Sequence, residues 1–98
     1  MAVAIEMDFK GATLEQYDEV LKLMGLDDPS APPPNGALFH WAAKTDDGLK
    51  VVDVWETREQ FDRFAQEQMG PYSQQAGFPG PPETTYHEVH NTLGGATA

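Results

Sequence analysis

One carboxylate set among β-branched and aromatic residues is the first feature of this 98-residue chain with chemical content. Asp53 stands in the run Val51-Val52-Asp53-Val54-Trp55, where an ionised carboxylate is costly to bury unless it accepts hydrogen bonds or exchanges charge with a partner. Three histidines, His40, His87 and His90, offer imidazoles. Such a ring titrates near neutrality when unperturbed and can take a phenolic or α-carbonyl proton as general base. The catalytic candidates are therefore His40, Asp53, His87 and His90. Trp41, Trp55, Tyr86, Tyr17 and Phe64 are the candidates for lining an apolar substrate pocket with a few polar handles. Each also has a plain structural reading: Asp53 as a satisfied buried acid, the indoles as core, a strand histidine as half-exposed surface.

Which partner Asp53 meets depends on a hairpin register. With Asp46-Asp47-Gly48 as the loop, Thr45 faces Leu49 and Asp53 faces Trp41, whose indole N–H can donate to it. With a loop one residue longer, Lys44 faces Leu49 and Asp53 faces His40, which makes a His-Asp dyad. A left-handed bulge expected at Gly48 favours the first pairing. Metal binding is not expected. His87 and His90 are three apart on a strand, so they point to opposite faces and cannot chelate one ion, and the chain has no cysteine. Neither Ser30 nor Ser73 lies in a nucleophile-elbow setting, and Gly77, Gly80, Gly94 and Gly95 lack the strand-turn-helix context of a phosphate loop. The acids at Glu15, Asp18 and Glu19, and at Glu56, Glu59 and Asp62, read as solvated helix faces.

The elements that must position these groups follow from periodicity. From Ala2 to Phe9, large apolar residues alternate with small or acidic ones, the period of a strand. Thr13 with Gln16 forms a capping box, and Leu14, Tyr17, Val20, Leu21 and Met24 make one helical stripe that Gly25 ends. Residues 27–35, with Pro29, Pro32, Pro33 and Pro34, form a surface loop. Two strands, Ala37 to Lys44 and Leu49 to Glu56, flank the turn. Thr57 with Gln60 caps a second helix whose inward stripe is Phe61, Phe64, Ala65 and Gln68 or Met69, and Gly70-Pro71 stops it. A rigid loop over 70–82 leads to a strand from Thr84 to Asn91, and 94–98 is expected to be disordered.

Strand, helix, strand, strand, helix, strand with right-handed crossovers is a ferredoxin-like βαββαβ sandwich, class α+β, with both helices on one face of a four-stranded antiparallel sheet over 1–93. The hairpin is apolar on both faces: Phe39, Trp41, Val51 and Trp55 on one, Leu38, Val52 and Val54 on the other. A one-sided sheet should be polar outward. The economical cover is a second copy of the sheet, so a homodimer is expected.

Charge narrows the partners. Six basic against sixteen acidic residues, a net charge of -10, disfavours phosphate backbones and anionic membranes. No apolar stretch reaches the length of a membrane span, and the acid-interrupted N-terminus does not read as a signal peptide. A cytoplasmic protein is the expectation.

The passage Val52-Asp53-Val54-Trp55-Glu56-Thr57-Arg58-Glu59-Gln60-Phe61, an aromatic, an acid, a cap and an amphipathic helix, is similar to the strand-to-helix passage of antibiotic biosynthesis monooxygenase-like domains in the dimeric α+β barrel superfamily. The resemblance covers the chain to Leu93 in element order. Pro81-Pro82-Glu83 and Tyr86-His87-Glu88-Val89-His90-Asn91 also resemble the ending of small uncharacterised actinobacterial proteins. The resemblance implies a pocket between helices and sheet where members oxidise, cyclise, isomerise or decarboxylate aromatic or polyketide-like molecules, often with no bound cofactor. The Trp and His that haem-degrading members need fall near Phe64 and Gln74 here, which disfavours haem oxidation. The Tyr and His of plant polyketide cyclases are replaced by Phe64 and Gln68. Two functions follow as expectations: a cofactor-independent monooxygenase or polyketide cyclase-like enzyme on a small aromatic substrate, or a non-catalytic dimeric binding or structural module. An enclosed pocket holding a histidine and Asp53 would separate them.

Overall fold

Alternation carries the sheet. In the computed structural model, which describes residues 2–93, Val3, Ile5, Met7 and Phe9 of strand β1 (Val3–Lys10) are all buried, and the residues between them are not. Strand β3 (Gly48–Trp55) repeats the pattern with Leu49, Val51, Asp53 and Trp55. Helix α1 (Leu14–Met24) is closed at its start by the Thr13–Gln16 capping box and at its end by Gly25 in the left-handed region (φ 75°). Strand β2 (Ala37–Thr45) forms the hairpin with β3, and strand β4 (Glu83–Glu88) completes a four-stranded antiparallel sheet in the order β2-β3-β1-β4. This is the ferredoxin-like arrangement. Val3, Ile5, Met7, Phe9, Leu49, Val51 and Trp55 form the core with Phe61 from the second helical segment, and the indole of Trp55 meets Phe61 edge-on.

The hairpin register is the one that pairs Lys44 with Leu49 and His40 with Asp53, not the pairing favoured by a bulge at Gly48. Only Asp46 and Asp47 lie between the paired residues Thr45 and Gly48, so this register comes with a two-residue turn and not with the longer loop expected for it. The glycine is needed for space instead. A Cβ at Gly48 would run into the backbone of Phe9 and Gly11, where β1 ends and the Gly11 N–H donates to the Asp47 carbonyl at 2.6 Å. The apolar faces change with the register. Phe39 and Trp41 share the outer face with Val54 and Val52, and His40 and Ala42 share the helix side with Asp53 and Val51. An irregularity between Ala37 and Phe39 marks the start of β2.

The second helix does not stop at Gly70-Pro71. Helix α2 (Arg58–Phe64) passes into a π-helical turn (Ala65–Met69) and then into α3 (Gly70–Gln75). The wider turn lets the Gly70 N–H reach back five residues to the Ala65 carbonyl. Pro71 then sits at the first turn of α3, where a missing N–H costs little. The inward residue is Met69, and Gln68 is exposed. Strand β4 ends at Glu88, three residues before the expected Asn91, with Val89 held by one further bond to the Ala2 carbonyl. The tail expected to be disordered lies outside the described residues.

Candidate active site

Asp53 is 6% exposed and faces the helices, as its place between Val51 and Trp55 on an alternating strand requires. Its cross-strand neighbour on β2 is His40 and on β1 is Ile5. One carboxylate oxygen, Oδ1, accepts a hydrogen bond from His40 Nδ1 at 2.5 Å. The other, Oδ2, accepts from the indole Nε1 of Trp55 at 3.1 Å, two residues along the same strand face. Among the described residues no fully buried side-chain polar atom is left without a partner.

The carboxylate sets the histidine tautomer. In the neutral ring, with Nδ1 facing an acceptor, the proton lies there and Nε2 carries the lone pair. Tyr17, on the inward stripe of α1, places its hydroxyl 2.5 Å from that Nε2 and donates to it, with the two rings nearly parallel. Burial, then the charges of Asp53 and Asp18, push the Tyr17 phenol above its ordinary range. Tyr17, His40, Asp53 and Trp55 thus form a continuous hydrogen-bonded line across α1, β2 and β3.

That line borders a cavity of about 580 Å³, within the usual range for a small-molecule site. Its floor is the sheet at Met7, Phe9 and Val51, and one wall is α1 at Val20, Leu21 and Met24. Pro29, Pro33 and Pro34 of the loop form its rim, and Phe64, Met69 and Phe78 close the far wall. Polar side chains on this lining are few: Tyr17, His40, Asp53, Ser73 and, in the loop, Asp28. Asp28 is held by the Ser30 N–H at 2.9 Å and its hydroxyl at 2.8 Å, which draw its carboxyl below the ordinary value.

Of the nine candidate residues, Tyr17, His40, Asp53, Trp55 and Phe64 line this cavity. Trp41 does not. It lies on the outer face beside Val52 and is 41% exposed, because His40 has taken the inward position. Tyr86 is also outside the cavity, under the Arg58 guanidinium at 3.7 Å from its ring centre, with its hydroxyl donating to Asp62 at 3.2 Å. Its phenol is raised by burial and by Asp62. His87 points to the opposite face, 3.4 Å from Glu6, and His90 lies beyond the end of β4, exposed. Among the described residues no group of three or more His, Cys, Asp or Glu side chains is placed to share a metal ion. No helix among them is long and apolar enough to cross a membrane. Two features escaped the sequence: the Tyr17–His40 bond, which depends on how α1 lies over β2, and Ser73, which falls in a stretch that reads as loop.

No protein-family model matches the sequence, and no curated protein does. Solved structures match over nearly the whole chain. A protein of Chloroflexus aurantiacus, described provisionally as an antibiotic biosynthesis monooxygenase, is 18% identical with a TM-score of 0.60, covering 96% of this chain and 98% of that one. The cofactor-independent oxygenase SnoaB of Streptomyces nogalater is 17% identical with a TM-score of 0.58, covering 94% and 95%. The monooxygenase from the gene ActVA-Orf6 of Streptomyces coelicolor, solved with nanaomycin D, is 20% identical with a TM-score of 0.54, covering 94% and 89%. The chain therefore has the fold of antibiotic biosynthesis monooxygenase-like proteins, an antiparallel four-stranded α+β sandwich.

Proposed function

We propose that this protein is an enzyme that deprotonates a small aromatic substrate in the cavity and passes the resulting anion to dioxygen, without a bound cofactor. The observation that carries the proposal is the line Tyr17–His40–Asp53, ending in a largely apolar cavity. Tyr17 oxygen keeps a lone pair with which it can accept a substrate O–H or acidified C–H proton. As that proton arrives, the Tyr17 proton moves to His40 Nε2, and Asp53 stabilises the imidazolium. Trp55 holds the second carboxylate oxygen and so keeps Asp53 aimed at the ring. Dioxygen completes the balance: a ring CH₂ plus O₂ yields a ring C=O plus H₂O. Two of the fold's neighbours being described as a monooxygenase and a cofactor-independent oxygenase supports this reading over the cyclase alternative. The cavity is open to solvent on one side and not enclosed as expected for an enzyme, and it is the joint presence of His40 and Asp53 on its lining that favours catalysis over a non-catalytic binding module.

The same proposal includes a homodimer. Phe39, 43% exposed, and Trp41 form with Val52 and Val54 an apolar outer patch on β2 and β3, which a second copy of the sheet would cover about a two-fold axis. We also take residues 1–93 as one domain and the cysteine-free chain as cytoplasmic.

The test is oxygen uptake with a hydroxyanthrone, whose ring methylene is acidified by the flanking carbonyl and phenols. His40→Gln should lower turnover by about 10²-fold or more, the usual share of general-base catalysis. An undiminished rate in His40→Gln would overturn the assignment. Saturable binding with no turnover in the wild type would return the protein to the class of binding modules.

A further inference from the structure

We propose that Tyr17 is also a nucleophile, and that it carries acyl groups taken from esters with good leaving groups, such as aryl esters, before water releases them. This goes beyond the proposed oxygenation, which uses the same side chains, and does not depend on it. An activated nucleophile needs a base within hydrogen-bond reach and a third group that orients the base. The Tyr17 hydroxyl lies 2.5 Å from His40 Nε2, and His40 Nδ1 lies 2.5 Å from Asp53 Oδ1. Trp55 in turn holds the other carboxylate oxygen at 3.1 Å. The connectivity is that of a Ser-His-Asp triad with a phenol in place of the serine. Of the three tyrosines, only Tyr17 joins an imidazole and lines the cavity. Tyr86 donates to Asp62 at 3.2 Å, but a carboxylate is a weaker base than an imidazole, and neither Tyr86 nor Tyr72 lines the cavity.

The chemistry balances without an oxidant. In the first step the Tyr17 oxygen bonds to the ester carbonyl carbon while its proton passes to His40 Nε2. The bond from that carbon to the leaving oxygen then breaks, and the leaving aryl oxide takes the proton from Nε2. In the second step water attacks the same carbon and gives a proton to His40, and the departing Tyr17 oxygen recovers a proton from Nε2. The sum is ester plus water giving acid plus phenol. The cavity lining sets the acyl donor. Met7, Val20, Leu21 and Val51 suit a short apolar acyl chain. With few polar side chains on the lining to receive a developing oxyanion, the leaving group has to be a good one, an aryl oxide and not an amine. Burial, then Asp53 and Asp18, raise the Tyr17 phenol, which makes it a poorer leaving group than an activated phenol. Acylation therefore outruns deacylation, and acyl-Tyr17 accumulates.

The experiment treats the full chain with p-nitrophenyl butyrate under argon, where oxygenation cannot run. The wild type should release a burst of p-nitrophenol equal in amount to the protein, followed by slow turnover. Mass spectrometry should find the butyryl group on the tryptic peptide 11–22, whose only phenol is Tyr17. Tyr17→Phe should abolish both burst and label. His40→Gln should slow the burst by about 10²-fold, the usual share of a general base. Should His40→Gln fail to fold, Asp53→Asn, which turns the imidazole proton toward Tyr17, is read the same way. A burst that survives in Tyr17→Phe, an unchanged burst rate in His40→Gln, or a label on lysines, His40, Tyr72 or Tyr86 in place of Tyr17 would each overturn the assignment. So would a wild type with neither burst nor label. Oxygen uptake with the hydroxyanthrone is read separately, so either proposal can fail without the other.

Discussion

Replacing Asp53 by Asn isolates what the carboxylate does, because the two side chains have nearly the same shape. In the wild type both carboxylate oxygens accept, one from His40 Nδ1–H and one from Trp55 Nε1–H. An amide has only one accepting oxygen. The indole can only donate, so the Asn oxygen must turn toward Trp55 and the NH₂ toward His40. The imidazole then accepts at Nδ1 and carries its proton on Nε2, facing Tyr17. The three bonds persist with their directions changed, and the Tyr17 proton turns toward the open cavity, so the stability cost is mainly that of exchanging a charge-assisted bond for a neutral one, about 1 kcal/mol. In a domain of this size that lowers Tm by about 4–8 °C. The chemical cost is much larger, because Nε2 no longer has a lone pair for the relay, and turnover should fall by about 10²- to 10⁴-fold. The tautomer is read directly by long-range ¹H–¹⁵N correlation spectra of labelled histidine, which requires no substrate. Retention of the Nδ1–H form in Asp53→Asn, or wild-type turnover with the tautomer switched, would refute the reasoning.

Two further outcomes follow from the same geometry. The raised pKa of Tyr17 means the folded state holds its phenolic proton more tightly than the unfolded chain; its contribution to stability is complete below about pH 10 and is lost as pH climbs through the folded value. Urea denaturation of wild type and Tyr17→Phe between pH 8 and 11 should therefore show a steeper alkaline decline in the wild type, and parallel curves would count against it. Trp41→Glu places a charge in the outer apolar patch and should shift sedimentation from dimer to monomer with the cavity intact; an unchanged oligomeric state would remove this face from the proposed interface.

Much of the architecture was legible because it rests on local patterns. The alternation from Val3 to Phe9, the Thr13–Gln16 box and the order of elements all correspond to the structure. The site was legible only to within one residue of register. His40 and Trp41 are adjacent candidates for the position opposite Asp53, and the choice between them is made by a tertiary contact, the approach of Gly48 to the backbone at Phe9 and Gly11. A glycine reads the same whether it is there for its φ angle or for its missing side chain, and turn statistics address only the first. Gly70-Pro71 misled for a related reason. The pair breaks a regular α-helix, but a preceding π-turn supplies the geometry in which proline begins a new helical turn.

The π-turn also determines how much empty space the protein owns. Each residue advances a helix by about 100°, so the residue absorbed by the wider turn shifts the phase of everything beyond it by one position. The inward series runs Phe61, Ala65, Met69, Ser73, with regular steps of four, the first and last buried and the middle two half-buried. Wound as a regular α-helix over the same residues, the segment would turn positions nearer Gln68 and Tyr72 inward, and a phenol ring would occupy volume that a serine hydroxyl now leaves open. Winding alone, with the residues unchanged, therefore decides whether a hydroxyl or a phenol faces the cavity, with no alteration to the sheet or to the Tyr17–His40–Asp53 line.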